Sequence, residues 1–139
     1  MTAVQSLEPE PKRKTTIVVV EPDVMTRIAI ADYLRDCGYH VIELRSAEEA
    51  FTVLESGRSV DIVFAEVDLP ETMTGFELAR RIRSDYPGIS IILTSGAESA
   101  AEKAGDLCND GPIPKPYNPQ DVVRRIKLLH ESKRTSKAD

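Results

Sequence analysis

Tryptophan is absent from this chain of 139 residues, cysteine occurs only twice, and aromatic side chains make up 5% of it. Two cysteines cannot build a disulfide-dense scaffold, and the spacing of Cys37 and Cys108 matches neither a C-x-x-C redox site nor paired zinc ligands. Both are expected to be reduced, partly buried thiols. No apolar run is long enough to span a bilayer, and residues 1–15 lack the apolar segment of a secretory signal. The cytoplasm is therefore the expected location, with no membrane partner. Basic residues are the minority charge, 18 against 23 acids, and the net charge of -5 repels nucleic acid.

What is present fits one globular domain: 41% hydrophobic and 29% charged residues in 15.4 kDa. A polar leader, residues 1–15, carries Glu8, Pro9, Glu10 and Pro11 ahead of the basic run Lys12-Arg13-Lys14. A patterned body follows over residues 16–130, and residues 131–139 form a polar tail. Both ends are expected to be disordered arms.

The body alternates short apolar runs with helical patterns. Thr16-Ile17-Val18-Val19-Val20 is the continuous run a strand needs when both its faces are covered. Ile30, Leu34 and Cys37 then share a helical face, and Gly38 stands where a left-handed residue closes a helix. Tyr39 to Leu44 reads as a second strand, and Ser46 with Glu49 forms a capping box before Ala47, Ala50, Phe51 and Leu54. Val60 to Glu66 reads as a third strand; Phe76, Ala79 and Ile82 mark the helix after it. Ile89 to Thr94 is a fourth strand, a weakly patterned helix follows near Ala97 to Ala104, and a short fifth strand is expected near Ile113. Asn118 caps and Pro119 opens a closing helix with Val122, Val123, Ile126 and Leu129 on one face.

Five strands alternating with five helices predict a flavodoxin-like (βα)5 domain of the α/β class, doubly wound around a parallel five-stranded sheet in the order 2-1-3-4-5. Such sheets bind ligands beyond the carboxyl ends of their strands. Glu21 and Asp23 follow strand one, Glu66 and Asp68 follow strand three, Ser95 follows strand four and Lys115 follows strand five. Acids, a hydroxyl and an amine thus converge on one edge.

From about Thr16 to Leu129 the chain resembles the receiver domain of bacterial two-component response regulators. The likeness rests on IVVVEPD, on DIVFAEVDLP followed by GFELARRIR, on IILTSG, and on the Lys115-Pro116 pair in IPKPY. The resemblance implies a phosphorelay function, with a histidine kinase or another signalling protein as partner. It also implies an Asp phosphoacceptor ending strand three, two acids after strand one that help hold Mg²⁺, a Ser or Thr and a Lys on the phosphate, and a cis Lys115-Pro116 bond.

Three positions depart from that pattern. Glu66 occupies the phosphoacceptor position, and its extra methylene displaces a nucleophile that must lie in line with phosphorus, where about 1 Å can cost a hundredfold in rate. Its fixed charge is a partial stand-in for a phosphoryl group. Pro22 replaces the second metal-binding acid, so a Mg²⁺ site built on Glu21 and Glu66 is expected to be weak or absent unless Asp23 turns inward. Pro112 replaces the aromatic residue that usually reads out the switch, although Tyr117 lies close by in sequence. Ser95 and Lys115 match, and Lys115 is expected to pair with Glu66.

The leading expectation is a stand-alone, non-enzymatic pseudo-receiver acting by protein contact. Arg124, Arg125 and Lys127 are candidate contacts, and a homodimer through helix 4, strand 5 and helix 5 is the alternative use of that face. A competing expectation keeps the domain phosphorylatable, with Glu66 or Asp68 as a non-standard acceptor and Mg²⁺ as cofactor. A flavin carrier or flavodoxin-like enzyme fits poorly, because Glu21-Pro22-Asp23 stands where a glycine-rich phosphate loop belongs.

Overall fold

The structure is a computed structural model that describes residues 13–110 and 119–138. It contains β1 (Thr16–Val20), α1 (Val24–Asp36), β2 (His40–Leu44), α2 (Ala47–Glu55), β3 (Ile62–Glu66), α3 (Gly75–Asp85), β4 (Ser90–Thr94), α4 (Ala97–Asp110) and α5 (Pro119–Ala138). The strands are parallel in the order β2-β1-β3-β4, with Val18 facing both Ile42 and Val63 in register. This is the α/β parallel sheet that the alternating pattern predicts. The expected fifth strand near Ile113, the Lys115-Pro116 bond, Lys115, Pro112 and Tyr117 lie outside the described residues, as does the leader up to residue 12.

Alternation along the strands divides the interior into two layers, since successive side chains point to opposite faces. Ile17, Val19 and Phe64 face α1, α4 and α5, while Val18, Val20, Val63 and Ala65 face α2 and α3. All five residues of β1 are buried, which is why that segment reads as an unbroken apolar run.

Helix boundaries follow the capping residues. Asp23, Ser46 and Thr74 each accept a hydrogen bond from a first-turn amide, those of Thr26, Glu49 and Thr74's third successor Glu77. Gly38, with φ of 98°, lies just past the end of α1 as expected. The closing helix runs on to Ala138, beyond the boundary expected at residue 130: ESKRTSKA contains no glycine or proline to stop it.

One feature goes beyond the sequence reading and one expectation needs correction. First, α4 packs on the face that carries α1 and α5. Its small apolar stripe, Ala100, Ala101 and Ala104, lies flat in the core against α1, and Gly105 meets Pro119 so closely that a Cβ there would clash with the proline ring. Second, Cys37 and Cys108 are not free thiols. They form a disulfide across 71 residues of sequence, joining the end of α1 to the last turn of α4, with 5.5 Å between Cα atoms and both residues fully buried. Nothing in their spacing announces this, because the pairing depends on which face α4 takes.

Candidate functional site

The carboxyl ends of β1, β3 and β4 bring the two glutamates of the sequence reading together. Glu21 follows Val20 and is 8% exposed; Glu66 ends β3 and is 7% exposed. Both chain segments are fixed by backbone bonds that extend the ladder past the strands, Glu21 N to Leu44 O at 2.9 Å and Val67 N to Thr94 O at 2.9 Å. The side chains are therefore delivered by the stiffest part of the fold.

Glu66 Oε2 accepts the backbone N–H of Gly96 at 2.9 Å, and Oε1 accepts that of Asp68 at 3.4 Å. The carboxylate thus gathers amides from the loops after β3 and β4. Gly96 reaches it with φ of 90°, a conformation that side chains other than glycine rarely take. The Thr-Ser-Gly sequence after strand four contains that signal, although the sequence reading singled out only Ser95. Ser95 itself is exposed, and the buried hydroxyl of this loop belongs to Thr94, 3.5 Å from Ala65 O.

Glu21 has a different environment. Its Oε2 accepts the Asp23 N–H at 2.9 Å, which favours the charged form, but burial outweighs that bond. Burial first, with the negative charges of Glu66 and Asp23 adding to it, pushes the carboxyl up to about 7. Arg27, unnoticed in the sequence, offsets part of this charge; its Nη1 donates to Glu21 O at 2.8 Å while its Nε lies 3.6 Å from Glu43. Two buried carboxyl groups, one partly protonated near neutrality, thus share the edge.

The other acids are elsewhere. Asp23 is the N-cap of α1: its Oδ2 accepts from Thr26 N at 2.9 Å and Thr26 Oγ1 at 2.6 Å, and His130 Nε2 of α5 lies 3.1 Å away. The hoped-for inward turn of Asp23 is not made. Asp68 is exposed. Among the described residues, no three carboxylate, imidazole or thiol groups gather as a metal site requires.

Gly75 closes the site from behind. It opens α3, its N–H reaches Val67 O at 3.0 Å, and a Cβ on it would strike Glu66 O and come within 2.7 Å of Val67 Cα. Glycine is required here for close backbone approach. In the preceding loop Glu71 holds φ of 70°, uncommon for a side-chain-bearing residue.

Comparison with known proteins places this geometry. The family described as the response regulator receiver domain matches residues 17–127. A cyclic di-GMP phosphodiesterase of Thermotoga maritima is 30% identical over 117 residues, covering 83% of this chain and 30% of that protein. The phosphate regulon regulator PhoB of Pseudomonas aeruginosa is 31% identical, with coverage of 82% and 51%. The two-component response regulator ORR3 of Oryza sativa is 30% identical, with coverage of 84% and 88%. The chain thus spans less than a third of the first of these relatives and about half of the second. Among solved structures, a putative response regulator from Chloroflexus aurantiacus superposes with a TM-score of 0.57 at 26% identity, covering 84% of this chain and 98% of that one. The receiver domain of an HD domain-containing protein from Pseudomonas fluorescens gives 0.58 at 25%, covering 88% and 99%. Fold order, the acidic carboxyl edge and the match over residues 17–127 agree: the chain belongs to the response regulator receiver domain family.

Proposed function

We propose that this receiver domain works in two-component signalling as a pseudo-receiver, with Glu66 in place of the phosphorylated Asp and with protein contact as its output. The observation that carries this reading is that both Glu66 oxygens already accept backbone amides, from Gly96 and Asp68. Those N–H groups are what an oxyanion formed on a shorter side chain at this strand end would need, since a transferred phosphoryl group is stabilised by donors positioned in advance. A glutamate that occupies them takes these two donors from an incoming phosphate and sets its own carboxylate in their place. Lys115 is the cation we expect opposite it.

Mg²⁺ plays no part in this reading. Capping by Asp23 and the proline at position 22 leave Glu21 and Glu66 as the only buried acids at the edge among the described residues, one carboxylate fewer than the family pattern implies. The partner is a histidine kinase or another signalling protein, meeting a face that includes Arg124 and Lys127; Arg125 already lies 4.0 Å from Asp36.

A reversion series tests the proposal. Wild type, Glu66→Asp and Pro22→Asp/Glu66→Asp are incubated with acetyl phosphate and Mg²⁺ and followed by intact mass. The expected result is phosphoryl uptake by the double variant and none by the parent. A stable phosphoryl group on the parent, at Glu66 or Asp68, establishes the competing reading that the domain is still phosphorylatable.

A further inference from the structure

At the amino edge of the sheet, the end opposite the acidic cluster, a cavity of about 320 Å³ opens beside the starts of β1 and β2. Its rim carries Arg13, Lys14, His40 and Arg58, the Ser59 hydroxyl adds a donor, and half-buried Ile42 supplies an apolar patch. No carboxylate lines it, in a chain whose net charge is -5.

Asp61, the acid bonded to this rim, is already committed. Its Oδ1 pairs with Arg13 Nη2 at 2.8 Å and its Oδ2 accepts the Thr16 N–H at 2.8 Å. Arg13 holds this carboxyl below its usual range, and the pair in turn steadies the guanidinium. Among the described residues, no ion pair engages Lys14 or Arg58. Two cations without an ion-pair partner among the described residues therefore face a concave space, at the lower end of the range of about 300–1,000 Å³ typical of small-molecule sites.

We propose that this cavity binds a small phosphorylated molecule, its dianionic phosphate held between Lys14 and Arg58 with the Ser59 hydroxyl donating, and its non-polar part lying on Ile42. A phosphate dianion matches the two cations in charge and offers three acceptor oxygens to a rim made of donors. A peptide carboxylate brings half that charge. The site is remote from Glu66, so the proposal stands or falls independently of the pseudo-receiver reading.

The test is an NMR titration of the full ¹⁵N-labelled chain with three separate probes: AMP, inorganic phosphate, and phosphatidylcholine vesicles doped with phosphatidylserine. AMP is expected to shift the amides of Thr16, His40 and Ser59 saturably, to bind several-fold more tightly than inorganic phosphate, and to weaken as salt is raised. Lys14→Ala and Arg58→Ala are each expected to lower its affinity about tenfold, as loss of one charge-assisted contact implies, with the thermal midpoint of the protein unchanged. Equal, non-saturating responses to AMP and phosphate overturn the proposal, as do binding of the vesicles alone and undiminished AMP affinity in the Lys14→Ala/Arg58→Ala double variant.

Discussion

Reduction of the Cys37–Cys108 bond is the most exposed consequence of this fold. The link joins residues 71 apart, so the unfolded chain, when cross-linked, is tied into a long loop. In the chain-entropy treatment a loop of that length removes about 15 cal/mol/K from the denatured ensemble, or about 4.4 kcal/mol at 25 °C. Both sulfurs are fully buried, so the reduced thiols remain packed where the bond was, and most of the loss comes from the released chain. With an m-value of about 2 kcal/mol/M in urea, the unfolding midpoint should fall by about 2 M in excess dithiothreitol. Far-UV circular dichroism is the suitable probe, because the chain has no tryptophan. Cys108→Ala should match the reduced wild type to within about 1 kcal/mol, allowing for the lost sulfur contact, and should itself be insensitive to dithiothreitol. Coincident midpoints with and without reductant refute the entropic reasoning. Two free thiols titrating in the unreduced, unfolded protein refute the bond itself.

Three further outcomes follow from the site and its caps. Glu21 rises from an ordinary value near 4.5 to about 7 on folding, so the folded state binds the extra proton, and stability falls as pH climbs through that window. The loss is about 3 kcal/mol between pH 4.5 and above 7, and Glu21→Gln should flatten the denaturation profile and exceed wild type in stability at pH 8. Gly75→Ala drives a methyl group into backbone that cannot yield by changing rotamer; a loss of about 2–3 kcal/mol in urea unfolding is expected, with shifted amide resonances at Glu66 and Val67. Asp23→Ala removes the cap of α1 and the contact with His130, and thermal denaturation should register about 1–2 kcal/mol.

The parts of this molecule written in local pattern were readable in advance. The unbroken apolar run of β1, the Ser46 cap, Gly38, and the presence of Glu21 and Glu66 at one sheet edge all follow from short-range rules of side-chain patterning and capping. What escaped reading depends on distant segments meeting. The face taken by α4 is set by the fit of Ala100, Ala101 and Ala104 in the core, an interaction with no strong periodicity of its own. The disulfide follows from that choice. The bond from Gly96 to Glu66 spans 30 residues, and the protonation of Glu21 reflects its burial beside Glu66, which is a property of the assembled edge. Asp23 shows the opposite difficulty: one residue type suits a metal, a pocket or a cap, and only geometry decides among them.

The junction between Gly75 and the end of β3 has a mechanical consequence. Main chain bears directly on main chain there, with no side chain between them to change rotamer and absorb a displacement. Any alteration of volume at the tip of β3 must therefore emerge as a rigid tilt of the eleven-residue α3 cylinder, and the exposed Phe76 at its near end would be the first outward-facing group to move.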